Sequence, residues 1–131
     1  MNIFIHRRDL RYEDNTTLLE MNKHFNNITP IFIFNPQQIY YSKNKYFSNN
    51  LVKFLIQSLE ILEKNYKKRR INIQYFEGEI INIINNILKN QKINSIGFNR
   101  DYSPFSKKRD TKIINWCKKN NIKIFNEEDM L

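Results

Sequence analysis

The sequence predicts an α/β fold in which a five-stranded parallel sheet is covered by helices on both faces. Short runs of β-branched and aromatic residues have the length of buried strands. They alternate with longer amphipathic stretches, and such alternation produces parallel sheets through crossover connections. The 131 residues are enough for one domain with its own core and too few for two.

Five segments are predicted to be strands because each concentrates Ile or Phe in a short run. In chain order the predicted strands are Asn2–His6, Ile28–Phe34, Ile71–Phe76, Ile93–Phe98 and Ile122–Phe125.

The first two helices are predicted from apolar residues three and four positions apart. The first runs from Asn15 to Lys23, and its predicted buried residues are Leu18, Leu19 and Met21. The second follows Ser48, a residue type that favours the N-cap position. Its predicted buried stripe consists of Leu51, Phe54, Leu55, Leu59 and Leu62.

The last two helices are predicted on the same grounds. The third spans Gly78–Lys89, and its apolar side consists of Ile80, Ile81, Ile84, Ile87 and Leu88. The fourth contains Pro104 in its first turn, where the missing N–H of proline costs nothing. Its predicted inward-facing residues are Ile113, Ile114 and Cys117.

The net charge of +9 and the pI near 9.7 favour anionic partners such as phosphates or nucleic acid. The charge is a weak indication, because abundant Asn, Ile, Lys and Tyr are typical of an AT-rich genome, such as that of a large virus or a parasite. The single cysteine, Cys117, fits a reducing compartment. The sequence shows neither a signal peptide nor a membrane-spanning run, so a soluble, intracellular protein is expected.

The residue types present exclude several kinds of site. Two glycines, Gly78 and Gly97, are too few for a phosphate-binding loop or a dinucleotide-binding glycine motif. His6, His24 and Cys117 lack the spacing of metal ligands, so no metal is expected. His6 is instead expected at the end of a strand and His24 at a solvated helix end.

Basic residues cluster in three places. The segment Arg7–Arg11 places three arginines around Asp9, and two interpretations stay open: ion pairs to Asp9 or Asp14, or contact with an anion or cofactor. Lys67–Arg70 is typical of a solvated helix end, where cations oppose the helix dipole. Lys107–Arg109 lies at a helix start, where cations are unfavourable, and is the stronger candidate for a phosphate contact.

Three loops are expected to meet at one edge of the sheet. Parallel α/β sheets bind ligands beyond the carboxyl ends of the strands, where the strand order reverses. The loops after His6, Phe34 and Phe98 all lie at those ends in the predicted fold. We therefore expect them to converge in space.

The motifs in these loops resemble the photolyase and cryptochrome family. "RRDLRYEDN", from Arg7 to Asn15, is similar to the opening motif of that family, in which a strand runs into F-R-R-D-L-R, two residues and D-N. "FNRDYSPFSKKRD", from Phe98 to Asp110, is similar to a later turn that begins Asn-x-Asp and closes on Arg-Asp. "PIFIFNPQQI" resembles the second strand of the family, and "NEEDML" resembles the segment that leaves the domain.

The resemblance implies that residues 1–131 form the N-terminal α/β domain of such a protein. That domain is a Rossmann-like three-layer sandwich, with strand order 3-2-1-4-5, that holds a light-harvesting antenna. In the family, FAD and the damaged pyrimidine dimer bind to a C-terminal helical domain, which is the implied partner in the same or a separate chain. This chain alone is therefore expected not to repair DNA and to meet damaged DNA only indirectly.

The resemblance also implies an antenna pocket at the carboxyl edge. Arg109 is implied to bond a ring oxygen or a phosphate of the chromophore, and Phe34 to stack on it or to form a wall. The complete set of implied pocket residues is Arg8, Phe34, Asn35, Asp101, Ser103, Ser106 and Arg109.

Departures from the family pattern bear on which chromophore binds. Asn35, Leu51 and Ser103 replace residues that are common in deazaflavin-binding relatives. Phe105 and Ser106 replace the Asn-Glu pair of folate-binding relatives. A deazaflavin or FMN is therefore expected before a folate, and an empty pocket stays an alternative.

Three other functions stay open. A cryptochrome-like or orphan interaction module would keep the fold and bind no chromophore. A plain nucleotide-binding domain is disfavoured by the scarcity of glycine. Direct DNA binding by the basic surface would weaken steeply as salt rises.

Overall fold

The computed structural model describes residues 1–7, 10, 12–13, 15–34, 49–100 and 104–126, with backbone alone for 49–52 and 104–106. Within these residues, strands and helices alternate along the chain. The strands are β1 Asn2–His6, β2 Thr29–Phe34, β3 Gln74–Glu77, β4 Ser95–Gly97 and β5 Lys123–Phe125. The helices are α1 Thr16–His24, α2 Asn49–Lys67, α3 Ile80–Asn90 and α4 Pro104–Lys119.

The strands form one five-stranded parallel sheet in the order β3-β2-β1-β4-β5. This confirms the predicted fold class and strand order. The central strand β1 pairs with β2 from Ile3 opposite Thr29 to His6 opposite Phe32, and on its other side with β4. The chain leaves β1 toward β2, and it later crosses back to β4, so the strand order reverses beside β1.

Side chains alternate across the sheet and build a core on each face. One core packs Ile3, Ile5 and Ile96 against α3 and α4, which supply Ile84, Ile113 and other buried residues. The other core packs Phe4 and Phe32 against α1 and α2. Helices therefore cover both faces, which is why the strands contain almost continuous apolar runs.

Two predicted core positions are wrong. Leu19 is 53% exposed, because Thr17, Leu18 and Met21 form the buried side of α1. Phe54 is 68% exposed, because α2 buries Leu59, Leu62 and Tyr66, with Leu55 partly buried on the same side. In each helix the misplaced residue is a direct chain neighbour of an inward-facing leucine, about 100° around the helix axis.

The predicted helices begin close to their predicted positions. Asn15 caps α1 by accepting from the backbone N–H of Leu18 at 3.1 Å. Glu79 caps α3 by accepting from the backbone N–H groups of Ile81 and Asn82, each at 3.2 Å. Ser48, the predicted cap of α2, lies outside the described residues, and the side chain of Leu51 is not described.

The strands are shorter than predicted at β3, β4 and β5. β3 begins at Gln74 rather than Ile71, and β4 spans Ser95–Gly97 within the predicted Ile93–Phe98. The additional apolar residues still belong to the cores, since Ile73, Ile93 and Phe98 are buried. The apolar runs therefore predicted correctly which segments are buried. They extend beyond the residues that pair as strands, so the predicted strands were too long.

Candidate functional site

The carboxyl ends of β1 and β4 lie side by side at the point where the strand order reverses. His6 ends β1, as predicted, and it is buried; Arg7 follows it directly. Gly97 ends β4 and is followed by Phe98 and Asn99. Because β1 and β4 are parallel neighbours, the side chains that follow them share one edge of the sheet.

Arg7 is the centre of the contacts at this edge. Its guanidinium donates to the carboxylate of Asp110 in α4 and to the backbone carbonyl of Asn99. The same guanidinium lies 4.6 Å from the ring centroid of Phe98. The side chains of Arg7 and Asp110 are each only 11% exposed, so the ion pair is largely shielded from water. The pair ties the start of the β1–α1 loop to α4.

Asp110 also lies next to Arg109. Nε of Arg109 is 4.0 Å from the same carboxylate oxygen that Arg7 contacts. Two guanidiniums therefore face one carboxylate near the start of α4. Such a cluster is suited to holding an anionic or oxygen-rich group, because arginine forms directed hydrogen bonds to phosphates and carbonyl oxygens.

A second set of contacts joins the two sequence motifs directly. Asn99 donates to the side-chain oxygen of Asn15 at 2.8 Å and accepts from the backbone N–H of Thr17 at 3.1 Å. Thr17 in turn donates through its hydroxyl to the carbonyl of Phe98 at 3.1 Å. The predicted convergence of the loops after His6 and Phe98 is therefore confirmed. Asn15 both caps α1 and anchors the turn after β4.

A buried polar pair lies on the face of β1 that packs against α1 and α2. The hydroxyl of Tyr66 in α2 shares a hydrogen bond of 2.5 Å with Nε2 of His6. Burial raises the pKa of the Tyr66 hydroxyl. The ring of Tyr12 packs edge-on against Tyr66, and the guanidinium of Arg69 lies 3.8 Å from the Tyr12 ring centroid. These contacts attach the β1–α1 loop to the end of α2.

Sequence reasoning missed the acid partner of Arg7. The described acid partner of Arg7 is Asp110, which is 103 residues away, whereas the ion-pair interpretation of the sequence named the nearby Asp9 or Asp14. Arg8, Asp9, Arg11 and Asp14 lie outside the described residues. The signal that could have identified Asp110 was its place at the end of the second motif, since both motifs were expected at one edge.

The predicted chromophore residues are only partly described. Phe34 is half-buried and packs against Phe32 and Tyr75, with ring centroids 4.8 and 6.4 Å apart. Arg109 belongs to α4, on the other face of the sheet, and its side chain is 16% exposed. Ser106 lies in α4 without a described side chain. The predicted residues outside the described part are Arg8, Asn35, Asp101 and Ser103.

The sheet therefore separates Phe34 from Arg109. A pocket lined by both residues would have to lie beyond the carboxyl edge of the sheet. Lys107 and Lys108, grouped with Arg109 in the sequence, are exposed. Of these three cations, Arg109 alone turns toward the ion-pair cluster. The exposed cations Lys67–Arg70 follow the pattern expected of a solvated helix end.

Two cavities are lined by α3 and lie apart from this cluster. One, of about 370 Å³, lies between β3 and α3, with Phe76, Ile83 and Ile87 among its walls. The other, of about 600 Å³, runs along Asn82, Asn85 and Lys89. Neither Phe34 nor Arg109 lines them, so they carry no support for the predicted pocket.

The described residues contain neither a metal-binding cluster nor a membrane-spanning helix. Among these residues, His, Cys, Asp and Glu form no group of three that could hold a metal ion. No helix in the described part has both the length and the apolar character needed to cross a membrane.

Comparisons with known proteins identify related chains. A family described as DNA photolyase matches residues 2–131. Cryptochrome-1 of Aedes aegypti is 29% identical over 128 residues, which is 93% of this chain and 23% of the cryptochrome. A solved archaeal photolyase from Sulfolobus tokodaii is 38% identical, with a TM-score of 0.87 over 100% of this chain.

The archaeal photolyase was solved with two FAD molecules, which implied a novel light-harvesting cofactor in that protein. This chain corresponds to 30% of that photolyase. A class III photolyase from Agrobacterium tumefaciens, 19% identical with a TM-score of 0.81 over 96% of this chain, shares the fold.

Proposed function

Because this chain belongs to the DNA photolyase family, we propose that it is an antenna domain that passes excitation energy to FAD in a helical partner domain. The observation that carries the proposal is the 38% identity, over 100% of this chain, to an archaeal photolyase solved with a second FAD. The partner domain is in the same or a separate chain. Repair of pyrimidine dimers is a property of the combined protein, and this chain alone is expected to have none.

The proposed chromophore is a flavin or deazaflavin. The second FAD of the archaeal relative favours an isoalloxazine-type ring, and adds FAD itself to FMN and deazaflavin as candidates. The absence of the Asn-Glu pair at Phe105 and Ser106 disfavours a folate. These chromophores share ring carbonyl oxygens, and the flavins among them add phosphate, so both groups suit an arginine donor.

The proposed pocket opens at the carboxyl edge, beside the Arg7–Asp110 ion pair. Arg109 would donate to a ring oxygen or a phosphate, and Phe34 would form a wall from the other face. Arg8, Asn35, Asp101, Ser103 and Ser106 complete the proposed lining. The described contacts support this proposal by tying the loops after β1 and β4 together, which presents a pre-organised edge to a ligand.

Titration of the purified chain with FAD, FMN, a deazaflavin and a reduced folate tests the proposal, with chromophore fluorescence as the signal. Saturable binding of a flavin or deazaflavin is expected, and Arg109→Ala should weaken it by about tenfold or more, as for loss of a charged hydrogen bond. Lys108→Ala is the matched control, because Lys108 is an exposed cation one residue away. Equal effects of both substitutions, or binding of none of the four compounds, would reject the proposed pocket.

The second candidate is an interaction module without a chromophore, which the match to Cryptochrome-1 favours. In that case the purified chain would bind none of the chromophores and would still form a complex with a helical FAD-binding domain supplied in trans. Size-exclusion chromatography of the mixture tests complex formation, which both candidates predict. Energy transfer from a bound chromophore to the FAD of the complex separates them, since only an antenna domain would show it.

A further inference from the structure

The face of α2 that turns away from the sheet exposes two large apolar side chains. Phe54 is 68% exposed and Ile61 is 62% exposed. They are two helical turns apart, so they lie on one stripe of the helix. A different side of α2, roughly 120° around the helix axis, supplies Leu59, Leu62 and Tyr66 to the core. Phe54 and Ile61 therefore do not contribute to the core of this chain.

This stripe is close to symmetric about its midpoint. Gln57 and Ser58 occupy the turn between the two apolar residues. A two-fold axis through that turn, perpendicular to the helix, would lay a second α2 antiparallel to the first. Phe54 of each copy would then lie opposite Ile61 of the other. Such self-complementarity is what an isologous dimer interface requires.

The charges beside the stripe follow the same symmetry. Lys53 and Glu60 flank it on one side, and both are exposed. Within the described residues neither forms an ion pair, whereas the nearby Glu63 pairs with Lys67 at 3.7 Å. The two-fold axis places Lys53 of one copy beside Glu60 of the other. Measured along the helix axis, the two positions differ in height by about 3 Å. Two equivalent ion pairs would therefore close the interface.

We propose that this chain self-associates through the exposed face of α2 as an antiparallel, two-fold pair of helices. The occupant of the face is a second copy, because both the apolar and the charged groups find complementary partners in the same sequence. An interface built on one helix from each copy belongs to the small, weak class, so association is expected at high micromolar concentration. The proposal is independent of chromophore binding.

Sedimentation equilibrium over about 5 to 500 µM protein tests the proposal. The chain is expected to shift from monomer to dimer over this range. Phe54→Ser or Ile61→Ser should each raise the dissociation constant by about tenfold or more, since each substitution removes two apolar contacts from a symmetric dimer. Leu19→Ser is the matched control, because Leu19 is a similarly exposed leucine on α1 and should leave association unchanged.

Charge reversal tests the antiparallel arrangement itself. Lys53→Glu alone and Glu60→Lys alone should each weaken association by about three- to tenfold, as expected for two exposed ion pairs. The double reversal recreates both pairs with their signs exchanged and should restore the original affinity. A monomer at every concentration, or a double variant no tighter than the single variants, would overturn the proposal.

Crosslinking supplies a geometric test that does not depend on affinity. Ser58→Cys places a thiol beside the two-fold axis and should give a disulfide-linked dimer under mild oxidation. Lys64→Cys is the control, because the two copies of that position would be about 20 Å apart along the axis. The natural Cys117 is buried and does not compete. Equal crosslinking at both positions, or occupation of the face by a helical FAD-binding domain in place of a second copy, would contradict the two-fold pairing.

Discussion

Asp110 lies between two guanidiniums, those of Arg7 and Arg109, in a site that is largely closed to water. Replacement by asparagine keeps the shape and removes the charge. Asp110→Asn is expected to lower the free energy of unfolding by about 2 to 4 kcal/mol, because it leaves a mostly buried arginine without its counter-charge. Urea denaturation of the purified chain measures this loss.

Glu20→Gln provides the comparison for Asp110→Asn. Glu20 faces Lys23 at 3.5 Å on the exposed side of α1. Loss of such a surface pair should cost about 0.5 kcal/mol or less. If the two substitutions destabilised the chain equally, the ion pair of Asp110 would be contributing no more than a surface pair.

Tyr66 allows a similar test on the other face of the sheet. Tyr66→Phe removes the hydroxyl that shares a hydrogen bond with His6 and keeps the ring packing. The expected loss in unfolding free energy is about 1 to 2 kcal/mol, as for a buried hydrogen bond. Tyr75→Phe is the matched control, since its hydroxyl donates to Glu63 at 3.3 Å on an exposed surface. A smaller loss for Tyr66→Phe than for Tyr75→Phe would contradict the assignment.

Residue-scale contacts were the part of the molecule least accessible from sequence. The position of His6 at a strand end was predicted from its apolar run, yet nothing in the local pattern indicated Tyr66 as its partner. For Arg7 the sequence left open an ion pair to a nearby acid and contact with an anion or cofactor, because local spacing cannot reveal a partner 103 residues away. Long-range partners of this kind follow only from the topology.

At the scale of elements, the packing of α1 on β4 depends on the absence of a side chain at Gly97. A Cβ built at Gly97 would lie 2.2 Å from Sδ of the buried Met21 and 3.3 Å from Cγ2 of Thr17. Gly97→Ala is therefore expected to destabilise the chain by about 1 to 3 kcal/mol through overpacking. Thermal and urea unfolding of the variant measure the effect.

Combining Gly97→Ala with Met21→Ala identifies the source of that loss. Met21→Ala alone should cost about 2 to 4 kcal/mol, because it opens a cavity. In the double variant the new methyl group occupies part of that space. The loss of unfolding free energy in the double variant should therefore be smaller than the sum of the losses in the two single variants. Strict additivity would show that Met21 is not the residue displaced.

Helix periodicity predicted where α1 and α2 lie and misjudged which residues they bury. Leu19 and Phe54 are apolar and border inward-facing leucines, so composition alone placed them in the core. The structure exposes them because a single helix can turn only one stripe of about three positions per two turns toward the sheet. Exposed apolar residues such as these indicate where the chain could contact another molecule.

At the scale of the whole molecule, the alternation of strands and helices and the family resemblance were enough to predict the parallel sheet and its order. The meeting of the two motifs followed from the rule that parallel strands end at one edge. The pocket could not be derived in the same way. Its predicted residues come from separate loops, and of those with described side chains, Phe34 and Arg109 lie on opposite faces of the sheet.

Several weakly acidic side chains are protonated more firmly in the folded chain than in an unfolded one. Burial raises the pKa of the Cys117 thiol from 9.0 to about 11. Burial, together with the neighbouring carboxylate of Glu63, raises the pKa of Tyr75 from 10.0 to about 12. Burial also raises the pKa of Tyr66. All three shifts have the same sign, so they act together on the stability of the molecule.

The chain should therefore lose stability as pH rises above about 9, because the unfolded state ionises first and the folded state holds its protons. The contribution of Cys117 is fully present below pH 9.0 and disappears as pH approaches about 11, with a size on the order of 2 kcal/mol. The tyrosines extend the decline toward pH 12. Urea denaturation at one-unit pH intervals from 7 to 11 measures the slope, and Cys117→Ala should flatten it between pH 9 and 11 whatever its effect at pH 7. An unchanged slope in that variant would mean that the thiol titrates in the folded chain as it does in the unfolded one.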